Sequence, residues 1–416
     1  MNNFYDDKEC LPADEREQGL FSNLPAQLAY AKVNCPYYQD LLAGFDVAEI
    51  NSRALLSQLP VTRKSHLIKL QQKNRPFAGM TVESNRIGRL FQSPGPINEP
   101  EGMSDDWWRM GRAFYAAGFR KGDIAHNCLS YHMTPGGFIM DSGAKACGCG
   151  VIPAGPGQTE QQLEVLEAFR PDGYCGTPSF LNILLDKAKA QGRDISFLNK
   201  ALVTGEPFPD CLRQEIKGKG VSALQAYATA DIGLIAYESQ GSEGMIVGED
   251  LIVEIVRPGS GQPVKPGEIG EILVTNFNKE YPLIRFATGD LSAVMPGESP
   301  CGRTNMRIKG WLGRADQTVK IKGMFVHPEQ VEKVRSAFHE LVKARLVVSR
   351  ENHNDQMMLK CELNVAEYSE MELVALASNV RETLKAVTKL SGQVEFMPVS
   401  AMPDDGKVIN DTRSFE

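Results

Sequence analysis

Gly310-Trp-Leu-Gly-Arg-Ala-Asp-Gln-Thr-Val-Lys-Ile-Lys-Gly-Met-Phe-Val-His-Pro-Glu-Gln-Val-Glu332 is the stretch that organises the chain. It opens on turn residues, Lys309-Gly310 and Gly313-Arg314. The alternation Thr318-Val-Lys-Ile-Lys322 predicts a half-exposed strand. Gly323 breaks that strand and Phe325-Val326 resumes it. Pro328 then opens a helix where its missing N–H costs nothing, with Glu329 and Glu332 in the favoured first turn. Strand, glycine turn, strand and proline-started helix are α/β grammar. The polar residues set before them, Arg314 and Asp316, are not explained by that grammar.

Working outward, about 100 residues from Arg314 onward predict their own strands and helices. The helices are Glu329–Phe338 and Glu370–Val387, and the strands are Ala344–Val348, Met357–Leu363 and Gln393–Phe396. That is enough for a small α+β domain. Upstream, Val247–Val256, Glu268–Asn276 and Pro282–Phe286 predict an antiparallel β-subdomain joined by Pro/Gly turns. Further upstream, strand and helix alternate from residue 123 to residue 208. This argues for a largely parallel sheet covered on both faces. Ligands of such sheets gather at the carboxyl ends of the strands. Four loops, at 92–100, 131–137, 204–208 and 227–233, are expected to converge there. Ser104–Phe119 predicts a helix, and Phe91–Gly102, with three Pro and two Gly, predicts a loop. The first 90 residues predict helices and connections, including a turn and helix start at Pro60-Val-Thr-Arg-Lys-Ser65, and carry no assigned chemistry.

The totals narrow the class. The chain has 416 residues, 42% hydrophobic and 23% charged, a net charge of −7 and nine cysteines without a CxxC pair. These values describe a globular protein of two domains with reduced thiols, expected in the cytoplasm. The negative balance argues against a nucleic-acid or anionic-membrane partner. The six His show no metal-ligand spacing.

Several motifs, taken in order, resemble the adenylate-forming (ANL) superfamily, and most closely its phenylacetate–CoA ligase branch. They are Tyr131 to Pro153, Thr204-Gly-Glu-Pro-Phe208, Tyr227-Ala-Thr-Ala-Asp231, Ala287-Thr-Gly-Asp290, Cys301-Gly-Arg-Thr304, Gly313-Arg-x-Asp316 with Lys322-Gly323, and Asp405-Gly-Lys407. The resemblance spans roughly residues 90–416. It implies an α/β fold with a large AMP- and acid-binding domain (residues 1–313) of mixed sheets and a β-subdomain, and a small mobile α+β domain (314–416). It implies activation of a carboxylic acid by ATP with Mg2+, through an acyl-adenylate, and capture by coenzyme A. A homodimer is a further implication.

The same resemblance assigns residues. Lys407 is the catalytic lysine between carboxylate and α-phosphate. Asp290 holds the ribose, with Arg314 beside it. Tyr227 stacks near adenine. Asp231 is a Mg2+ or phosphate-side ligand. Gly205, Glu206, Ser93 and Gly95 complete the nucleotide site. Tyr131, Gly136, Asp141, Ser142 and Gly143 shape the acid pocket, where Asp141 adds negative charge. Asp316 is the hinge, and Lys322-Gly323 lines the CoA tunnel.

The chain also departs from the family. Where the phosphate loop reads Ser-Ser-Gly-Thr-Thr-Gly-Lys-Pro, this chain has Ser93-Pro-Gly-Pro-Ile-Asn-Glu99-Pro100, so a carboxylate stands in place of the lysine. Ala228, Ala230 and Asp231 alter the Tyr-Gly-x-Ser/Thr-Glu segment. Of the positions that hold a structural zinc in some members only Cys301 remains, so no such zinc is expected. These departures leave two other readings open. One is an enzyme that passes the acyl group to an amine or carrier thiol. The other is a silent nucleotide- or acyl-CoA-binding protein.

Overall fold

A computed structural model describes residues 4–82, 86–93, 96–241, 243–315, 319–321, 324–351, 354–364, 368–403 and 407–413. The chain divides into two compact units. One comprises Met1–Val253, Val274–Thr288 and Val294–Trp311, and the other Glu254–Leu273, Gly289–Ala293 and Leu312–Glu416.

The first unit is built on a nine-stranded sheet. Its parallel half runs, in spatial order, Gly150–Pro153, Ile124–Asn127, Gly173–Gly176, Lys200–Val203 and Ser222–Thr229. Gly233–Tyr237, Met245–Val247, Arg307–Ile308 and Val294–Met295 extend it in antiparallel fashion. Helices Gly136–Ala146, Thr159–Phe169, Pro178–Ala190 and Asp210–Gly218 follow the parallel strands in turn. Counted along the chain, the five parallel strands stand in the order 2-1-3-4-5. The order reverses between Ile124–Asn127 and Gly173–Gly176, and a crevice forms at their carboxyl ends. The loop 128–135 leaves the sheet at that point. Leu163, Leu166, Leu181, Leu184 and Leu185 come from the covering helices and pack on Tyr174, Ala201 and Val203.

Two stretches differ from the sequence reading. Within the stretch read as a loop, the described residues 91–93 and 97–102 are instead strand, from the pair Ile87–Ser93 and Ile97–Gly102. Prolines are tolerated there because the ribbon has only two strands, so each has an outer edge that requires no N–H. The helix expected over Ser104–Phe119 shrinks to Gly111–Ala116. Asp106 and Arg109, at φ of 46° and 63°, break the helical path before it. The expected strand Pro282–Phe286 lies further on, at Phe286–Ser292. It belongs to a four-stranded sheet with Thr62–Arg63, Gly270–Asn276 and Leu251–Val256.

The second unit contains the antiparallel pair Val319–Ile321 and Met324–Val326, and Lys322-Gly323 lie outside the described residues. Helix Pro328–Ser336 begins with its proline at the first position. A four-stranded sheet follows, ordered Gln393–Met397, Asn354–Leu363, Leu341–Glu351, Ile409–Asp411. Helix Glu370–Thr388 starts in a reciprocal cap: the Ser369 hydroxyl accepts from the Glu372 N–H and the Glu372 carboxylate accepts from the Ser369 N–H. Leu346, Val348, Leu359, Val331, Val334, Val380 and Leu384 fill its core. Among the described residues no helix is long and apolar enough to cross a membrane.

Candidate active site

The two motifs at Tyr227 and Ala287 meet in the first unit. Tyr227 lies near the end of the strand Ser222–Thr229 and is buried, and its hydroxyl donates to Thr288 Oγ1 at 3.4 Å. Asp231 sits in the turn that follows. Its side chain is fully buried, and Oδ2 accepts from Lys64 Nζ at 2.5 Å. Oδ1 has no hydrogen-bond partner among the described residues. Lys64 directly follows the strand Thr62–Arg63, which runs parallel to Phe286–Ala287. Nothing in the sequence around Lys64 points to chemistry. Only the pairing of residues 62–63 with a strand more than 200 residues away brings it here.

Glu99 faces inward from the hairpin. It is fully buried, and Oε1 accepts from Ser93 Oγ at 2.7 Å, while Oε2 has no partner among the described residues. Burial, and then the neighbouring Asp231, push its carboxyl up to about 7, against the pull of Ser93 and Lys64. The carboxylate that replaces the family's loop lysine is therefore held inside the fold by the Ser93 hydroxyl. Gly95 lies outside the described residues.

The chemistry of two donors here is of the kind that Mg2+ takes. Two buried carboxylate oxygens, Asp231 Oδ1 and Glu99 Oε2, lack partners among the described residues, and hard oxygen ligands suit Mg2+.

At the crevice, Asn127 donates to the Tyr131 hydroxyl at 2.7 Å and to Gly137 O at 2.8 Å, which fixes the start of the loop and of the next helix together. Tyr131 packs edge-on to Phe138, with ring centroids 5.1 Å apart. A Cβ at Gly137 would meet the Tyr131 ring at 2.7 Å. Burial and then Asp141 raise the Tyr131 phenol above its ordinary value. Asp141 Oδ2 is 2.6 Å from Lys145 Nζ one turn along, so its charge is balanced within its own helix. The negative charge expected of Asp141 is thus present but paired. Asp141 and Ser142 line a cavity of about 840 Å3 with Arg89, Glu101, Phe138 and Lys145. Gly136 opens the helix in a roomy position, whereas Gly143 faces Met110, whose Cβ a methyl group at 143 would meet at 2.4 Å.

Gly205 takes a φ of 86°, in the left-handed region that favours glycine. Glu206 accepts from Ser179 N at 2.6 Å and so occupies an open N–H in the first turn of helix Pro178–Ala190.

The second unit holds the remaining assigned residues. Asp290 lies on the strand Phe286–Ser292, and Arg314 Nη1 donates to its Oδ1 at 3.0 Å. Backbone bonds from Leu312 N to Leu291 O, Leu291 N to Gly313 O and Ala315 N to Gly289 O fasten the two segments. Asp290 is largely buried and Arg314 half exposed. Asp316 lies outside the described residues, as do Asp405 and Gly406 before Lys407. Lys407 itself is exposed. Its backbone carbonyl accepts from Arg345 Nε at 2.9 Å, and Arg345 Nη2 donates to Pro403 O at 3.1 Å, so one buried guanidinium brackets the lysine's segment. At the position of the family's zinc cysteines, Cys301 Sγ is 3.1 Å from Ser299 Oγ and 3.8 Å from Arg303 Nη1. Its thiol is lowered despite burial, by the neighbouring polar groups of Ser239, Ser299 and Arg303.

Residues 107–278 match the AMP-binding enzyme family, and residues 323–411 match the AMP-binding enzyme C-terminal domain. The phenylacetate-coenzyme A ligase of Thermus thermophilus is 30% identical over 393 residues, covering 90% of this chain and 87% of that protein. The chain belongs to the AMP-binding enzyme family, on its phenylacetate–CoA ligase branch. The Escherichia coli phenylacetate-coenzyme A ligase is 29% identical over 428 residues, covering 98% of this chain and 96% of its own length. A crystal structure of 2-hydroxyisobutyryl-CoA ligase in complex with 2-HIB-AMP and CoA shares the fold, with a TM-score of 0.71 at 22% identity, covering 99% of this chain and 93% of that one. For this adenylate-forming fold, the family match accounts for both the mixed first unit and the small α+β sheet of the second.

Proposed function

We propose that the protein is an AMP-forming acid–CoA ligase, in which a carboxylate attacks the α-phosphate of ATP, pyrophosphate leaves, and the thiol of coenzyme A then displaces AMP from the acyl-adenylate. The observation that carries this reading is the joining of the two nucleotide motifs by the Tyr227–Thr288 hydrogen bond. It fits an adenylate-forming site, in which both motifs serve one nucleotide.

The roles follow from the geometry. Tyr227 presents a buried ring for adenine. Asp290 offers a carboxylate, steadied by Arg314, to the ribose hydroxyls. Asp231 and Glu99 would hold Mg2+, which when bound neutralises charge on phosphate oxygens. Lys407 brings a point cation to the reacting carboxylate and α-phosphate, where charge redistributes in the transition state. Tyr131 and the cavity beside Asp141 accommodate the acid. We place the boundary between the AMP-binding domain and the mobile domain after residue 313, with Asp316 as hinge and Lys322-Gly323 along the CoA path. A cytoplasmic site, where ATP and CoA are supplied, suits the nine cysteines.

The buried Glu99 favours one rival, a nucleotide- or acyl-CoA-binding protein without turnover. Release of AMP and pyrophosphate from Mg-ATP, CoA and a panel of aryl and short-chain acids separates the two. Acid-dependent AMP formation, abolished in Lys407→Ala, is the expected result. Nucleotide binding with no AMP from any acid would sink the ligase reading.

A further inference from the structure

The position that carries a cation in the family's phosphate loop carries Glu99 here, and Glu99 is turned into the fold and bonded to Ser93. A triphosphate has several negative charges, and a site that binds it needs donors of positive charge in fixed positions. From the structure we infer that Lys64 supplies the phosphate-side cation, entering the nucleotide site from the N-terminal segment. This inference rests on the reading of the site as one for ATP.

Three observations support it. First, the register Thr62↔Phe286 and Arg63↔Ala287 ends one residue before Lys64 on one side and one residue before Thr288, which bonds Tyr227, on the other. Lys64 therefore stands near the residue that bonds the adenine-side tyrosine. Second, its ammonium reaches Asp231, the acidic residue that closes the Tyr227 motif. Third, Asp231 is wholly buried whereas the Lys64 side chain is 23% exposed, so the lysine lies between the buried carboxylates and the surrounding space. A lysine is well suited to this role, because its charge sits at the end of a flexible four-carbon stem and can shift from one anionic partner toward another. The charge balance agrees. Asp231, Glu99 and Lys64 form a buried group in which Lys64 acts on both carboxylates. A cation moved from the loop to position 64 keeps the positive charge in the site, although the loop no longer delivers it.

The rival account is that Lys64 is only the counter-ion of a buried aspartate. Calorimetric titration of the full-length protein with Mg-ATP and, separately, with AMP distinguishes the two. In Lys64→Gln, affinity for Mg-ATP is expected to fall about ten- to a hundredfold, the loss typical of a charged hydrogen bond, with AMP affinity nearly unchanged. Lys64→Arg is expected to recover most of it. Equal loss for ATP and AMP, no loss for ATP, or no Mg-ATP binding by the unaltered protein overturns the inference. A second measurement needs no variant. In the unaltered protein, acetylation of Lys64 read by mass spectrometry is expected to be suppressed by Mg-ATP well beyond its suppression by AMP. Equal protection by both again overturns it. Neither measurement contains acid or CoA, so a failure of the ligase reading, seen as no AMP from any acid, is distinguishable from a failure of this inference.

Discussion

Glu99 shows how a single residue can contradict its motif and still suit the fold. A carboxylate at a phosphate loop is repulsive if it faces the phosphates, but this one is buried, bonded to Ser93 and next to Asp231. Its cost falls on stability and depends on pH. The unfolded chain releases this proton near 4.5, whereas the folded protein holds it until about 7. Between those values the native state binds more protons than the unfolded state, so this group's contribution to stability falls as pH rises through the window and is lowest above it. Glu99→Gln removes the charge beside Asp231 and keeps an amide oxygen to accept from the Ser93 hydroxyl. The variant is expected to be about 1–3 kcal/mol more stable than the parent at pH 8, with little difference at pH 4.5. Denaturant melts at the two pH values check this, and an equal effect at both would show that the carboxyl is not shifted. The substitution itself was legible in the sequence. The inward direction of the side chain was not, because it depends on the hairpin register that pairs Phe91 with Glu99.

At the scale of elements, the strands and helices of the parallel sheet were legible because each carries its own periodicity and turn residues. Helix Pro178–Ala190, for example, announces itself by the proline at its first position and by Leu181, Leu184, Leu185 and Ala188 at helical spacing. The hairpin 87–102 was hidden because proline and glycine are loop signals unless the strand has an outer edge. Lys64 was hidden for a different reason: a two-residue strand has no periodicity, and its partner is remote in sequence. Gly143 illustrates a third case, a motif glycine whose packing demand the motif does not reveal. Its missing Cβ admits Met110 and Phe114, at and after the start of the neighbouring helix. Gly143→Ala is expected to cost about 1–3 kcal/mol by overpacking, read as a lowered midpoint in denaturant melts. The ratio of turnover between a small and a large acid is expected to stay within about twofold, since the methyl points away from the acid. A stable variant with altered acid preference would return Gly143 to the pocket.

At the scale of the whole molecule, one chain must perform two chemistries that make different demands. Adenylation needs a cation at the α-phosphate, and thioester formation needs that place cleared for a thiol. Lys407 is carried by the second unit, where Arg345 brackets its segment through the carbonyls of Pro403 and Lys407. If the second half-reaction requires this segment to leave, some residue near the Arg314–Asp290 bond must absorb the change in φ and ψ, and the resemblance assigns that part to Asp316. Proline at that position fixes φ near −65°. Asp316→Pro is therefore expected to retain acid-dependent pyrophosphate release in a single turnover while losing thioester formation from supplied acyl-adenylate and CoA by about a hundredfold or more. Lys407→Ala is expected to show the reverse, with pyrophosphate release lost and supplied acyl-adenylate still converted. Rapid-quench measurement of both half-reactions in both variants tests the pair together. If Asp316→Pro slows the two half-reactions equally, residue 316 is not the pivot. If Lys407→Ala blocks both, the lysine is not confined to the first chemistry, and the division of labour between two conformations fails with it.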